Sequence, residues 1–150
     1  MRFVIQRVDK ASVSVDQQIV GEIRKGFLVL VGINDEDTTE IADKMLHKLL
    51  NLRIFEDENG KTNLDIKSVD GELLIISQFT LYADCRKGNR PSFVKAGKPD
   101  FAKEMYEYIL ENCKTAVKHA AGGIFGEHME VSLINNGPFT IVLDSDEICR

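Results

Sequence analysis

Cysteine is scarce in this chain of 150 residues, and tryptophan is absent. The cysteines are odd in number, and none lies close to another in sequence; they are Cys85, Cys113 and Cys149. Such spacing argues against a disulfide framework and against a zinc site, and it is typical of proteins from a reducing compartment. We therefore predict a cytoplasmic protein that needs no metal and no cofactor.

Histidine is equally rare, and its three positions form no metal-ligand or catalytic-triad pattern; they are His47, His119 and His128. Hydrolysis by this chain would therefore not resemble Ser-His-Asp chemistry. Long apolar runs are also missing, because the longest, residues 27–31, is far too short to span a membrane. Residues 1–7 lack the apolar core of a signal peptide.

Charge of one sign is not in large excess, since the net charge is −5. The hydrophobic content of 43% and the charged content of 29% are typical of globular proteins. This balance argues against a general nucleic-acid coat, whose affinity depends on an excess of Lys and Arg, but it allows a local basic patch. At this length we expect residues 1–150 to form a single domain.

The apolar pattern predicts strands at residues 3–8, 11–15 and 19–23, the second of which alternates with period two, and a strand buried on both faces at 26–33. The polar links Asp9-Lys10 and Asp16-Gln17 suggest hairpins, and hence antiparallel pairing. Further short strands are expected at residues 53–55, 129–134 and 139–143.

Two segments have the apolar spacing of helices that face a core. The first covers residues 37–52, where Asp37 with Glu40 resembles a capping box. The second begins at Pro99, and we expect Gly122-Gly123 to end it. The predicted fold is one α/β domain of mixed, largely antiparallel sheets with two main helices packed on them, and the strand order does not follow from these patterns.

The stretch from residue 73 to residue 82 begins as a strand buried on both faces and then becomes polar. Four apolar residues are followed by Ser77, Gln78, Phe79 and Thr80. An unpaired polar group at the end of a buried strand costs about 1–3 kcal/mol, so these side chains need partners. Either the strand leaves the core here, with Thr80 present for its β-propensity, or these four residues are the floor of a reaction site.

A second polar stretch, residues 135–140, separates the last two predicted strands. Its Asn136-Gly137 pair is a common hairpin signal. Pro138, however, removes one N–H and allows the Gly137–Pro138 bond to be cis. A Gly-Pro turn presents two backbone carbonyls on a rigid surface with almost no side chain, which suits steric exclusion of a small group from a site.

Residues 85–99 form a predicted loop that is rich in Lys and Arg and contains no acidic residue. It is either an ordinary solvated loop or a surface that attracts a phosphate backbone. The candidates for contact with nucleic acid are Arg86, Lys87 and Arg90.

Five blocks of the sequence, in order, resemble the D-aminoacyl-tRNA deacylase family, also called D-tyrosyl-tRNA deacylase. Ser77-Gln78-Phe79-Thr80-Leu81 and Asn135-x-Gly137-Pro138-Phe139-Thr140 look like its two signature motifs, with Phe139 where Val is usual. Residues 1–8, 88–93 and 125–133 match the family as well. The resemblance extends from residue 1 to about residue 143.

The resemblance implies a homodimer that hydrolyses the ester joining a D-amino acid to the 3′-terminal adenosine of tRNA, and that also removes glycine wrongly attached to tRNA. It implies that residues 77–80 form the pocket floor. Gly137-Pro138, as a cis pair from the partner subunit, would cover the chiral centre and reject L-amino acids. Arg7 would hold that pair, with Asn135 and Met129 in support. No membrane and no other protein partner is implied.

Backbone N–H groups near Phe79 and Thr80 are candidates for stabilising the oxyanion. Thr80 as a nucleophile would lack a general base at a recognisable spacing, so we favour a route in which the ribose 2′-hydroxyl helps to activate water and Thr80 positions the reactants. Two other classes stay open. One is a non-catalytic nucleic-acid-binding module that uses the basic loop, and the other is an enzyme that acts on small esters without tRNA.

Overall fold

The computed structural model of the protein describes residues 1–149. Its strands are β1 (Arg2–Val15), β2 (Gln18–Ile23), β3 (Gly26–Gly32), β4 (Phe55–Glu56), β5 (Thr62–Leu64), β6 (Glu72–Ser77), β7 (Ala120–Gly122) and β8 (Glu130–Asp144). Its α-helices are α1 (Thr39–Asn51), α2 (Pro99–Ala116) and α3 (Ser145–Ile148). A 3₁₀ turn (Phe79–Tyr82) follows β6. Within this part of the chain, no helix is long and apolar enough to span a membrane.

The main sheet has six strands and is built on β1, which pairs antiparallel with β2, β3 and β8. β3 pairs parallel with β6, and β6 with β7, so the sheet is mixed and largely antiparallel, as predicted. β4 and β5 form a separate small sheet. The predicted turn at Asp16-Gln17 is confirmed, because both residues have positive φ angles, 50° and 65°. The predicted hairpin at Asp9-Lys10 is wrong, because β1 runs through both residues, which are exposed on a continuous strand.

The core lies on both faces of the central strands. Leu73 and Ile75 of β6 pack in the larger cluster, together with residues of α1 and α2 such as Met45 and Ile109. Leu74 and Ile76 point the other way, into a second cluster formed with β1 and with half-buried residues of β8. Successive side chains of a strand alternate between faces, so a run of four apolar residues fills both clusters, as the sequence predicted.

Both helices differ from their predictions at one end. The N-cap of α1 is Thr38, whose Oγ1 accepts a hydrogen bond from the Ile41 N–H at 3.2 Å. Asp37, the predicted cap, is instead buried and lies 2.6 Å from the α-amino group of Met1. Because these two residues are far apart in sequence, no local sequence pattern could predict their ion pair.

The helix α2 begins with Pro99 in its first turn, as predicted, but it ends at residue 116 rather than near Gly122. Residues 120–122 form β7, which pairs with β6. Small residues suit this position, because a Cβ built on Gly122 would lie 2.5 Å from the Tyr106 hydroxyl and 2.8 Å from Leu110. Gly122 is therefore explained by close packing of β7 on α2 and not by the end of the helix.

Candidate active site

The polar residues after β6 leave the sheet in a tight turn. Ser77 is the last residue of β6 and lies opposite Val31 on β3. The Gln78 N–H donates to the Val31 carbonyl at 2.8 Å, and the 3₁₀ turn then carries Phe79 and Thr80 away from the sheet. The interpretation of Thr80 as a strand residue is therefore wrong. β3 ends one residue beyond Val31, so a longer β6 would have no partner there.

The side chains of Gln78 and Thr80 are joined by a hydrogen bond in which Gln78 Nε2 donates to Thr80 Oγ1. The Thr80 hydroxyl accepts this bond, so its own proton remains available for donation. Among residues 1–149, no carboxylate or imidazole is hydrogen-bonded to the Thr80 side chain. The arrangement suits a hydroxyl that positions a substrate, whereas activation as a nucleophile requires a base to take the proton.

A cavity of about 700 Å³ opens beside this turn. Its walls come from the ends of β3 and β6, the start of α2 and the segment before β8, and they include Ser77, Gln78, Phe79, Phe93, Lys98, Phe125, Glu127, His128 and Met129. Met129 lines this cavity, and its supporting role stays a prediction. Lys98, Glu127 and His128 also line the cavity, although the sequence assigned none of them to the site. Thr80, Gly137 and Pro138 do not line it, so the second motif contributes no residue to this cavity in its own chain.

The second motif forms a bulge in β8. Gln6 of β1 faces Thr140 of β8, and Val8 faces Asn135, so residues 136–139 have no partners in the sheet between these pairs. The predicted hairpin is therefore wrong, because β8 continues along β1 after the motif. The Gly137–Pro138 bond is cis, and Gly137 has a φ of 138°. Both residues are exposed.

Arg7 supports this bulge from behind. Its guanidinium is buried, with Nε donating to the Asn136 carbonyl at 3.0 Å and Nη1 donating to the Ile54 carbonyl at 2.6 Å. The guanidinium carbon lies 4.6 Å from the centre of the Phe139 ring, a cation–π contact. The structure thus places Arg7 against the motif, and Phe139 contributes a contact that depends on an aromatic ring.

Two asparagines complete the support of the bulge. Asn135 Oδ1 accepts a hydrogen bond from the Phe139 N–H at 2.6 Å, which connects the two ends of the bulge. Asn136 Nδ2 donates to Asp9 Oδ1 at 2.8 Å, which connects the bulge to β1. Asn135 therefore contacts the motif as its predicted supporting role requires, and that role in the reaction stays a prediction.

The basic loop is closed by backbone hydrogen bonds between Asp84 and Ser92, of 2.8 and 3.0 Å. Arg86 Nη2 lies 2.6 Å from Asp84 Oδ2, and hydrogen bonding from this guanidinium holds the pKa of the Asp84 carboxyl well below its usual range. Arg86 is therefore engaged in closing the loop. Lys87 and Arg90 are exposed and form no ion pair within residues 1–149.

The remaining cysteines and histidines do not form a second site. Cys113 is fully buried in α2, and burial raises the pKa of its thiol to about 12. His47 is exposed. His119 lies beyond the end of α2, where its Nε2 is 2.9 Å from the Glu22 carbonyl. No cluster of His, Cys, Asp and Glu that could hold a metal ion occurs within residues 1–149.

Comparison with known families agrees with the motifs. Residues 4–144 match the family model described as D-Tyr-tRNA(Tyr) deacylase. The D-aminoacyl-tRNA deacylase of Clostridium novyi (strain NT) is 54% identical over 145 residues, which are 97% of each chain. That of Thermosipho africanus (strain TCF52B) is 51% identical over 148 residues, which are 99% of each chain. The chain belongs to the D-Tyr-tRNA(Tyr) deacylase family. It is accordingly a hydrolase, and the reaction it catalyses is the deacylation of D-aminoacyl-tRNA.

Solved structures show the same fold. A structure described as c-Myc DNA Unwinding Element Binding Protein superposes with a TM-score of 0.90 and 39% sequence identity, covering 96% of this chain and 98% of the other. A probable eukaryotic D-amino acid tRNA deacylase superposes with a TM-score of 0.84 over 95% of this chain and 97% of the other. At 18% identity, the second likeness is one of fold alone.

Proposed function

We propose that this enzyme removes D-amino acids, and glycine wrongly attached, from tRNA, and that the Gly137–Pro138 backbone rejects L-aminoacyl-tRNA. The observation that carries the proposal is the exposed bulge at residues 136–139, which Arg7 supports from behind. A bulge held by a buried guanidinium and two asparagines is a rigid surface. Such a surface can exclude a side chain by its position.

Exclusion by a backbone wall accounts for selectivity better than a shaped pocket. A pocket that prefers one apolar shape gains only about 1–3 kcal/mol per methylene, which is too little to protect the large excess of correct L-aminoacyl-tRNA. A wall that clashes with every L side chain discriminates by repulsion. Glycine has no side chain to clash, so it passes the wall and its ester is hydrolysed.

The wall would come from a second copy of the chain. Gly137 and Pro138 do not line the cavity of their own chain, and both are exposed. β8 also exposes Ile134 and Val142 on either side of the bulge, apolar side chains that a partner would cover. We therefore propose a homodimer in which the bulge of each subunit covers the cavity of the other.

Residues 77–80 would form the floor of the reaction site. Phe79 and Thr80 begin the 3₁₀ turn, and N–H groups at the start of a helical turn have no partner within it, so they can donate to the oxyanion. Water attacks the ester carbonyl, the bond to the ribose oxygen breaks, and that oxygen takes a proton as the D-amino acid leaves. The ribose 2′-hydroxyl helps to activate the water, and the Thr80 hydroxyl, held by Gln78, positions the ester.

Residues 1–150 act as one deacylase domain in the cytoplasm, where aminoacyl-tRNA is used. Lys87 and Arg90 contact the tRNA backbone, while Arg86 shapes the loop through Asp84. Contacts of this kind position the tRNA and do not read its sequence.

Incubation of the protein with D-tyrosyl-tRNA and with the ethyl ester of D-tyrosine tests this function. We expect release of D-tyrosine from tRNA and negligible hydrolysis of the free ester, because the ribose and the tRNA backbone take part in binding and chemistry. Equal turnover of both substrates would show an enzyme that acts on small esters. Binding of tRNA without turnover would show a nucleic-acid-binding module.

One finding favours a second function. The solved relative at 39% identity is described as a protein that binds a DNA unwinding element. In this chain, residues 85–91 of the basic loop are exposed. We propose that the loop can also bind DNA through its phosphates. Competition of single- and double-stranded DNA with tRNA tests this idea, and DNA that fails to displace tRNA at tenfold excess would contradict it.

A further inference from the structure

Asp9 lies on β1 opposite the bulge of β8. Val8 of β1 faces Asn135 and Lys10 faces Ile134, and the register between the two strands skips Asp9, which lies between them. The side chain of Asp9 is exposed. The sequence assigned this residue to a turn and not to the site, so its position beside the bulge needs an explanation of its own.

The carboxylate of Asp9 binds the first residue of the bulge. Asn136 Nδ2 donates to Asp9 Oδ1 at 2.8 Å, across 127 positions of the sequence. A carboxylate oxygen only accepts hydrogen bonds, so the Asn136 amide must turn its nitrogen toward Asp9. Hydrogen bonds to a charged acceptor are stronger than those between neutral groups. The side chain of Asn136 is thus fastened to β1.

Arg7 binds the same residue through a different atom. Its Nε donates to the Asn136 carbonyl at 3.0 Å, from a buried side chain. A residue held by one hydrogen bond can still rotate about that bond, whereas bonds to two separate atoms fix its orientation. Gly137 follows Asn136 directly, so the orientation of Asn136 determines where the Gly137-Pro138 backbone lies. Supporting contacts of this kind hold a functional group within about 0.5 Å of its working position.

A smaller cavity, of about 140 Å³, adjoins these contacts. Asp9, Arg7 and Asn136 line it together with Lys25 and Glu56. Empty volume beside the bulge leaves room for it to shift once a contact is lost, because no packed atoms fill that space. Glu56 provides a second carboxylate in this cavity, but within residues 1–149 its side chain forms no hydrogen bond to the bulge.

We propose that Asp9 is a positioning residue for the Gly137-Pro138 wall, and that the selectivity for D- over L-aminoacyl-tRNA depends on its hydrogen bond with Asn136. The inference rests on the proposed function, in which this wall rejects L side chains. A wall that rejects by its position fails when it shifts, and a misplacement of about 1 Å is enough to change a rate about a hundredfold. Glycine has no side chain to meet the wall, so its removal does not depend on Asp9.

Substitutions at both ends of this hydrogen bond test the proposal on the full-length enzyme. Asp9→Ala removes the acceptor, and Asn136→Asp sets two carboxylates against each other. The double variant Asp9→Asn/Asn136→Asp restores the bond with donor and acceptor exchanged. We expect each single variant to raise the ratio of kcat/KM for L-tyrosyl-tRNA to that for D-tyrosyl-tRNA about tenfold, and the double variant to return it to the wild-type value. Glu56→Ala, which removes the other carboxylate of the smaller cavity, should leave the ratio unchanged.

Glycyl-tRNA separates a shift of the wall from general damage to the enzyme. Its rate of deacylation should stay at the wild-type level in all four variants, because Asp9 is exposed and surface substitutions seldom disturb a fold. An unchanged ratio in Asp9→Ala would overturn the proposal, and so would a double variant that fails to restore the ratio. An equal loss of activity on all three substrates would also overturn it, since the role of Asp9 would then be structural. Wild-type enzyme that releases L- and D-tyrosine at similar rates would instead contradict the proposed function, before any variant is made.

Discussion

The hydrogen bond between Gln78 and Thr80 is the most specific side-chain contact of the site. It leaves Thr80 able to donate a proton and gives it no base. Loss of one such positioning group costs about 1–3 kcal/mol, which corresponds to roughly 5–150-fold in rate. We therefore expect Thr80→Ala to lower kcat about 10–100-fold for D-tyrosyl-tRNA, and Thr80→Ser to stay close to the wild type. A covalent acyl-enzyme trapped on Thr80 would contradict this role.

The three cysteines differ in exposure, so their reactivity with a thiol reagent tests how α2 packs on the core. Cys85 is exposed, whereas Cys113 is fully buried and burial raises the pKa of its thiol to about 12. A group whose pKa is raised stays protonated at neutral pH, and the thiol is a poor nucleophile. Iodoacetamide at pH 8 should therefore label Cys85 and leave Cys113 unmodified, as read by peptide mass spectrometry. Labelling of Cys113 in the native protein, at the rate seen in urea, would show that α2 does not pack as described.

The basic loop divides into cations that shape it and cations that face solvent. Arg86 is engaged by Asp84, and Lys87 and Arg90 are exposed. Charge reversal at Lys87 and Arg90 should weaken tRNA binding most at low salt and should reduce the slope of log K against log salt by about two. Arg86→Glu should instead act by opening the loop next to Asp84. An unchanged affinity of the double variant for tRNA at 50 mM salt would show that the loop is an ordinary solvated loop.

Several elements could be predicted because their signals are local. Continuous apolar runs identified β3 and β6 as strands buried on both faces, and the spacing of apolar residues identified α1 and α2. The first signature motif predicted a polar site after β6, and its residues 77–79 line the cavity. These signals depend only on neighbours within a few positions of the chain.

Other features could not be predicted, because they depend on strands far apart in sequence. Asp9-Lys10 has the composition of a turn, yet β1 continues through it because β8, more than a hundred residues later, pairs along nearly its full length. The pairing of β8 with β1 also explains why Asn136-Gly137, a common hairpin signal, lies in a bulge. Likewise, the cavity combines the end of β6 with residues from α2 and from the segment before β8, such as Lys98 and His128.

The proposed dimer is motivated by the separation of the two motifs in one chain. If the bulge of one chain completes the cavity of another, a chain disrupted at Thr80 and a chain disrupted at Pro138 should complement each other. Mixing inactive Thr80→Trp and Pro138→Trp chains after brief denaturation should restore up to about one quarter of the wild-type sites, as a random mixture of chains predicts. Neither variant should regain activity when it is denatured and refolded alone. A fully active monomer in sedimentation would contradict this arrangement.

The most direct test measures the selectivity of deacylation between D- and L-aminoacyl-tRNA. Deacylation rates of matched D-tyrosyl-tRNA, L-tyrosyl-tRNA and glycyl-tRNA are compared for the wild type and for Gly137→Ala. A Cβ at Gly137 would lie 3.0 Å from Arg7 Nη2 and 3.2 Å from the Phe139 nitrogen, so the variant crowds the contacts that support the bulge from behind. We predict that the wild type releases D-tyrosine and glycine and leaves L-tyrosine attached, and that Gly137→Ala slows release of D-tyrosine without admitting L-tyrosine. Similar rates for D- and L-tyrosyl-tRNA with the wild type would contradict the account.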